Sequence, residues 1–306
     1  MKGPISQGDP SSLFPQSTLP PMASTVSRLF AQAIQGLVFK PLKFPGYLET
    51  DAVYVKTMDR TRITTMLLLS DQDHLGGLSA SPRPRDLVLY SRGNAEDITY
   101  CKERCLRLAD SLDCNFLVYD YVNYGHSSAW VMSEDHVNAA VLAVYEYATT
   151  QLVVPFDNLF IMGRSLGTTA IARLARILSE RHQADGQRLY RGLILESPLA
   201  SGFRVLFDGN RLPVYVSAAL DSVFCPVVQD IPLVDEHVFI IHGLQDEVIG
   251  VRNAYLLQEC MRTNSIYPPL YVHAGHNDVE SLHGPLVTRE LRRFLAFCRT
   301  GLSERS

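Results

Sequence analysis

A serine flanked by two glycines is the first group in the sequence that could do chemistry. Gly163, Ser165 and Gly167 follow the pattern G-x-S-x-G, between an apolar run at residues 158–162 and a stretch with helical spacing. A strand that reverses sharply into a helix holds its serine in a strained conformation, and side chains at both glycine positions would clash. Peptide dipoles at the start of that helix would also stabilise negative charge. The sequence therefore predicts a nucleophile elbow with Ser165 as the nucleophile.

A base and a carboxylate must accompany such a serine, because a serine hydroxyl alone is a weak nucleophile. On folds that carry this elbow, the chain order is Ser, then Asp or Glu, then His. Asp246 comes shortly after the apolar run at residues 238–241, and His276 follows the run at residues 270–273. Both positions lie at the carboxyl end of a predicted strand, at the same sheet edge as the elbow. We therefore expect a Ser165, Asp246 and His276 triad.

Other carboxylates and histidines lie close to the two expected triad positions. Glu247 and Asp278 are rival carboxylates, but Asp246 fits the strand end better and Asp278 follows the histidine in the chain. His273 lies within a predicted strand, where we expect its side chain to pack. His242 lies in a predicted turn, where we expect a structural role.

An oxyanion hole is the fourth component that this chemistry requires. Residues 86–91 have the pattern of the strand before the first helix, and Gly93 follows at the end of that strand. A glycine there lets the backbone approach the site closely. We expect the main-chain N–H groups of Asn94 and Leu166 to meet the developing oxyanion. No metal or organic cofactor is needed for this reaction.

The composition narrows the classes of protein. The chain has 306 residues, 46% of them hydrophobic and 20% charged, with a formal net charge of −4. This composition allows one large core and offers no overall basic field for a nucleic acid. No apolar run approaches the ~20 residues that a transmembrane helix needs. Six cysteines are too sparse for a disulfide scaffold and are expected to be reduced, and the N-terminus lacks the apolar region of a signal peptide. A cytoplasmic location is the resulting expectation.

The first 45 residues differ from the rest of the chain. Residues 1–25 contain five prolines and five serines, and this composition predicts a flexible tail. Residues 26–45 form an amphipathic segment with apolar residues at helical spacing and basic residues at both ends. Two interpretations stay open: a helix that makes peripheral contact with a membrane surface through residues 26–43, and a helix that docks on the domain. Residues 46–300 are assigned to one α/β domain.

Short β-rich runs alternate with helical patterns over that domain. The runs lie at residues 52–56, 61–69, 86–91, 115–119, 158–162, 192–196, 237–241 and 270–273. The helical patterns lie at residues 95–112, 134–151, 166–182, 251–263 and 286–299. This alternation predicts a mostly parallel eight-stranded sheet with helices on both faces, and an antiparallel edge formed by the first two strands. Residues 198–235 predict a short cap, whose apolar side chains either line an acyl-chain site or cover the sheet.

Several motifs in order give the chain a family resemblance over roughly residues 40–300. They are YSRGNA at 90–95, DYVNYG at 120–125, GRSLGT at 163–168, ESPLASG at 196–202, HGLQDEVI at 242–249 and GHND at 275–278. The sequence resembles the α/β-hydrolase superfamily, and within it the Bem46-like group and the α/β-hydrolase domain-containing protein 17 family of protein depalmitoylases. The resemblance implies the α/β-hydrolase fold and a Ser165, Asp246 and His276 triad that acts on acyl esters or thioesters.

The sequence departs from the family pattern at three places. Arg92 stands where relatives typically carry histidine, which puts a permanent cation near the support of the oxyanion hole. Asn123 stands where relatives usually have glycine, and asparagine tolerates a positive φ better than most residues. The family has a cysteine-rich, palmitoylated N-terminus, whereas the first cysteine here is Cys101, so we expect that anchor to be missing.

These observations favour a serine hydrolase of the carboxylesterase or acyl-protein thioesterase type, with a protein depalmitoylase as the sharpest form. Its substrate would be an acyl ester or thioester, carried by a small molecule or an acylated protein. One alternative is a serine peptidase on the same fold. The other is a catalytically silent binding or scaffold protein, since a fold does not fix a function.

Overall fold

Eight strands form one sheet in the order β1-β2-β4-β3-β5-β6-β7-β8 in a computed structural model, which describes residues 39–41, 45–70, 85–128, 132–206, 220–262 and 265–300. The strands are β1 Val53–Lys56, β2 Arg62–Leu68, β3 Asp86–Ser91, β4 Cys114–Tyr119, β5 Leu159–Arg164, β6 Gly192–Glu196, β7 Val238–Gly243 and β8 Leu270–Val272. Strand β2 pairs antiparallel with both β1 and β4, and every other pairing is parallel. The predicted antiparallel edge is therefore confirmed.

Helices cover both faces of this sheet. They are α1 Ile98–Leu112, α2 Glu134–Thr150, α3 Gly167–Asp185, α4 Gly202–Leu206, α5 Val227–Asp230, α6 Arg252–Cys260 and α7 Val279–Thr300. Short 3-10 helices lie at Glu49–Asp51, Phe156–Asn158 and Ile231–Leu233. The mostly parallel sheet with helices on both faces confirms the predicted fold class.

The central strand shows how this arrangement follows from the sequence. Every residue of β3 is buried, as expected for a parallel strand that is covered on both faces. Leu87 and Leu89 belong to the core cluster that includes α2, α3 and α6. Val88 and Tyr90 point to the opposite face and join the cluster of α1 and α7. A continuous apolar run therefore supplies two cores at once.

The strand directions also position the candidate site. Parallel strands β3, β5, β7 and β8 place their carboxyl ends at one edge of the sheet. Ser91 at the end of β3 is in register with Gly163 on β5, so the loop after β3 begins beside the elbow.

Part of the predicted N-terminal organisation lies outside the described residues. This applies to the tail at residues 1–25 and to the amphipathic segment at residues 26–45, except for residues 39–41 and 45. Phe39 is buried and its ring contacts Phe224 edge-on, with the centroids 6.0 Å apart. The end of the amphipathic segment therefore packs on the domain. Within the described ranges, every helix is too short or too polar to cross a bilayer.

The predicted cap at residues 198–235 is described except for residues 207–219. Its two described parts are tied together by Asp221, which accepts hydrogen bonds from the Ser201 hydroxyl at 2.5 Å and from Arg204 Nη2 at 2.7 Å. Phe224 and Val227 belong to the core cluster beside α3. These described side chains therefore cover the fold, the second of the two roles considered for this segment.

Candidate active site

Ser165 occupies the sharp turn between β5 and α3. Its backbone has φ +52°, which a residue with a side chain rarely adopts, and its N–H donates to the Glu196 carbonyl at 2.9 Å. A β-carbon on Gly163 would lie 2.6 Å from the Gly167 carbonyl oxygen. A β-carbon on Gly167 would lie 2.0 Å from the Ser91 carbonyl oxygen. The turn therefore requires both glycines of the motif.

Ser165, His276 and Asp246 form one hydrogen-bonded series. His276 Nε2 lies 3.0 Å from Ser165 Oγ, and His276 Nδ1 lies 2.8 Å from Asp246 Oδ2. The three residues are only 8%, 7% and 7% exposed. A hydroxyl next to one imidazole nitrogen and a carboxylate on the other is the arrangement that activates a serine as a nucleophile. The structure thus brings together the three residues singled out from the sequence.

Three groups besides His276 hold the Asp246 carboxylate. Its Oδ1 accepts hydrogen bonds from the backbone N–H groups of Val248 at 2.9 Å and Ile249 at 2.7 Å. Its Oδ2 also lies 3.3 Å from His242 Nε2. Burial opposes the charged form, but the hydrogen bonds from His242, His276 and Ile249 hold the pKa of Asp246 well below its usual value. The carboxylate is therefore charged and fixed in orientation.

His242 supports Asp246, a contact that sequence reasoning missed. Its Nε2 lies 2.8 Å from the carbonyl oxygen of Ile249 as well as near Asp246 Oδ2. Both neighbours are hydrogen-bond acceptors, so Nε2 must carry a proton. His242 is fully buried, and its Nδ1 has no hydrogen-bond partner among the described residues. His242 lies in β7 and not in a turn, so its predicted location is wrong; its structural role is to orient the triad carboxylate.

The rival residues do not take the place of Asp246 or His276 in the hydrogen-bonded series. Glu247 contacts the backbone of His276 rather than its ring, because Glu247 Oε2 accepts the His276 N–H at 3.3 Å. Asp278 Oδ1 is buried and has no hydrogen-bond partner within the described part of the chain. His273 follows the end of β8 and is exposed, so the expectation that it packs in a strand is wrong.

The loop after β3 lies against the start of α3, where an oxyanion hole is expected. The clash of a Gly167 side chain with the Ser91 and Arg92 carbonyl groups shows how closely the two backbones approach. The Asn94 side chain stabilises this loop. Its Oδ1 accepts hydrogen bonds from the Ala95 N–H at 3.0 Å, the Lys40 N–H at 3.0 Å and the Tyr124 hydroxyl at 2.7 Å. The main-chain N–H groups of Asn94 and Leu166 are the candidate oxyanion donors.

Arg92 points into the core and not into the site. Its Nε donates to Asp120 Oδ1 at 3.0 Å, and its guanidinium lies 4.5 Å from the ring centroids of Tyr121 and Tyr124. Asp120 also accepts hydrogen bonds from the Tyr47 hydroxyl and the Ile98 N–H. The cation expected near the oxyanion hole is therefore neutralised inside the protein.

Asn123 and the cysteines complete the set of residues singled out earlier. Asn123 has φ +66°, the conformation for which relatives usually carry glycine. All six cysteines are free, and five of them are buried. In the described ranges, no group of three or more His, Cys, Asp or Glu side chains is arranged to hold a metal ion.

Comparison with known proteins places this chain in a family. No protein-family model matches the chain. It is 33% identical over 218 residues to human α/β hydrolase domain-containing protein 17B, an alignment that covers 71% of this chain and 68% of the relative. The chain belongs to the α/β hydrolase domain-containing protein 17 family. Protein 17C of Xenopus tropicalis is 34% identical, and aho-3 of Caenorhabditis elegans is 33% identical. The chain spans only 63% and 58% of the length of these two relatives of the family.

Solved structures show the same fold at low sequence identity. The esterase Pf2001 of Pyrococcus furiosus superposes with a TM-score of 0.60 and 15% identity, over 85% of this chain and 97% of that one. Est1E of Butyrivibrio proteoclasticus, solved with ferulic acid, superposes with a TM-score of 0.58 and 17% identity, over 80% of this chain and 98% of that one. Both superpositions agree with the fold described above.

Proposed function

We propose that this chain is a serine hydrolase that cleaves acyl esters or thioesters through an acyl-enzyme on Ser165. The hydrogen-bonded series from Ser165 through His276 to Asp246 is the observation that carries the proposal. Membership of a hydrolase family supports it, as does the esterase fold. A silent scaffold protein would not require the three groups to be in reach of one another, and no described residue of the site favours a peptidase.

In this mechanism Ser165 Oγ attacks the acyl carbonyl carbon while His276 Nε2 takes the hydroxyl proton. Asp246 fixes the imidazole tautomer and stabilises the imidazolium that forms. The N–H groups of Leu166 and Asn94 would bind the oxyanion, each contributing about 10²–10³ in rate. His276 then gives its proton to the leaving alcohol or thiol. In the second half, water attacks the acyl-enzyme with His276 again as the base, which releases the acid and restores Ser165.

The experiment that tests this proposal is labelling with a fluorophosphonate, which reacts with an activated serine. Wild type should label, and Ser165→Ala should not. Ser111→Ala, on α1, serves as the matched control and should label like wild type. Equal labelling of wild type and Ser165→Ala would refute the serine hydrolase.

For the substrate we propose an acylated protein that carries a long-chain thioester, so that the enzyme is a depalmitoylase. The family resemblance supports this choice. A series of acyl thioesters and acyl esters of increasing chain length tests it. The rate should rise with chain length and favour the thioester, whereas activity confined to short soluble esters would contradict the depalmitoylase.

We also propose a cytoplasmic enzyme in which the part of residues 26–43 that precedes Phe39 contacts the membrane that holds such substrates. Phe39 and Lys40 contact the domain, so the informative truncation removes residues 1–38 and keeps these contacts. Liposome sedimentation of the full chain and of this truncation compares the two. Unchanged partitioning would remove the membrane contact from the proposal.

A further inference from the structure

Arg164 is the last residue of β5 and precedes the nucleophile, but the mechanism above gives it no chemical step. Its side chain is only 12% exposed. The guanidinium reaches three separate segments of the chain: Nη1 donates to Glu96, Nε lies 3.6 Å from Glu196, and Nη2 donates to the loop that begins at His276. Such a side chain holds neighbouring segments in a fixed relation.

One of these segments carries the proposed base. Arg164 Nη2 donates to the His276 carbonyl at 3.2 Å and to Asn277 Oδ1 at 2.9 Å. On the other side of the same residue, the His276 N–H donates to Glu247 Oε2 at 3.3 Å. The peptide groups of His276 are therefore held from both sides, and its ring nitrogens remain available for Ser165 and Asp246.

A second segment carries a candidate oxyanion donor. Glu96 Oε1 accepts from Arg164 Nη1 at 2.5 Å, and Glu96 Oε2 accepts from the Gly93 N–H at 3.2 Å. Gly93 directly precedes Asn94. A β-carbon on Gly93 would lie 3.1 Å from Glu96 Oε1 and 3.2 Å from Arg164 Nη1, so the close approach of this ion pair to the loop depends on the glycine. One guanidinium thus connects the loop that carries Gly93 and Asn94, here named the oxyanion loop, with the loop that begins at His276, here named the histidine loop.

The need to neutralise Glu196 does not by itself explain why an arginine stands at position 164. Glu196 is already paired with Arg104, whose Nη2 lies 2.5 Å from Glu196 Oε2. The contact between Arg164 Nε and Glu196 is longer, at 3.6 Å. Arg164 alone of the two arginines beside Glu196 also donates to Glu96 and to the His276 carbonyl, and a lysine could not make these contacts simultaneously.

We propose that Arg164 is a positioning residue, which couples the oxyanion loop to the histidine loop across the nucleophile elbow. The inference rests on the proposed serine hydrolase, since it assigns Arg164 a role in that reaction. It requires that loss of the guanidinium slows the acylation chemistry more than it weakens substrate binding.

Steady-state kinetics, fluorophosphonate labelling rates and thermal melts test this positioning role. The variants are Arg164→Met, Arg164→Lys, Glu96→Gln and the double variant Arg164→Met/Glu96→Gln. Arg164→Met should lower kcat about 10²-fold, the effect expected when catalytic groups shift by about 1 Å, with KM changed less than about threefold. Arg164→Lys should recover only part of the rate. Adding Glu96→Gln to Arg164→Met should lower kcat by a smaller factor than Glu96→Gln does in wild type, because the two side chains act as a unit.

Arg107→Met is the matched control, because Arg107 is 59% exposed and pairs only with Glu103 on the same helix among the described residues. It should react like wild type. If wild type labels and Ser165→Ala does not, but Arg164→Met keeps a wild-type kcat, the positioning role is wrong and the hydrolase stands. If wild type itself fails to label, both are overturned. If Arg164→Met does not fold, Glu96→Gln decides: a wild-type kcat in that variant overturns the coupling.

Discussion

Replacement of Gly167 by alanine sets two physical effects of opposite sign against each other. Gly167 is the first residue of α3, where alanine is favoured over glycine by about 1 kcal/mol in helix propensity. The new β-carbon, however, would lie 2.0 Å from the Ser91 carbonyl oxygen and 2.6 Å from that of Arg92. Ordinary carbon–oxygen contacts begin near about 3.3 Å, so one backbone must retreat by more than about 1 Å. Neither neighbour is a flexible side-chain end.

We therefore expect Gly167→Ala to destabilise the protein. Overpacking costs about 1–3 kcal/mol, and more where only backbone can move, which exceeds the gain in propensity. A net loss of about 2 kcal/mol lowers Tm by roughly 4–8 °C in a domain of this size. The retreat also displaces the loop that carries Asn94, so the fluorophosphonate labelling rate should fall about 10²-fold.

Gly250→Ala is the control, because a β-carbon there meets nothing within 4 Å. Its Tm should stay within about 2 °C of wild type, since surface substitutions usually change stability by less than about 0.5 kcal/mol. Thermal melts and labelling time courses of the three proteins suffice. A Gly167→Ala variant that melts at or above the wild-type temperature, or labels at the wild-type rate, would refute this account of the elbow.

Three further predictions concern titratable groups. Asp246→Asn should keep the fold but lower kcat about 10⁴-fold, because an amide favours the wrong His276 tautomer; a loss below tenfold contradicts this. Burial raises the pKa of Glu236 to about 7 despite Arg188 at 2.9 Å, so the folded state binds this proton more tightly than the unfolded chain. Wild-type stability should therefore fall from about pH 4.5 to 7, by up to about 3 kcal/mol, and Glu236→Gln should flatten this slope in urea titrations; parallel pH profiles would count against it. Cys260 is the partly exposed cysteine, so iodoacetamide should modify it first in peptide maps, ahead of Cys298, whose pKa burial raises to about 12.

The elements of the sheet could be predicted because buried parallel strands are nearly continuous apolar runs. All eight predicted strands are present, with ends that differ by at most a few residues. The helix at the end of the chain was harder. Its pattern predicts residues 286–299, whereas α7 covers Val279–Thr300. Pro285 disfavours helix for the residue before it, and His283 breaks the helix with φ −128°, so the first turn gives no continuous periodic signal.

The candidate triad could be predicted for a different reason. A nucleophile, a base and a carboxylate are each restricted to few residue types, and their order along the chain is fixed on this fold. The supporting residues are not restricted in this way. Arg164, Glu96 and His242 act through contacts with segments far away in the sequence, at distances set by the folded backbone. The residues next to them in the sequence do not distinguish Arg164 and Glu96 from surface charges, or His242 from a histidine in a turn.

Arg92 shows how far a single substitution can mislead when its partner is not known. From the sequence, a cation in place of the histidine of relatives bears on the oxyanion hole. In the structure, the guanidinium lies over two tyrosine rings and against Asp120, which also receives a hydrogen bond from Tyr47. Removing one member of a buried pair costs about 3–5 kcal/mol because the other charge is left uncompensated. Position 92 is therefore constrained together with Asp120, by the packing beneath the loop, while the loop's main-chain donors depend on Gly93 and on the contacts of Asn94.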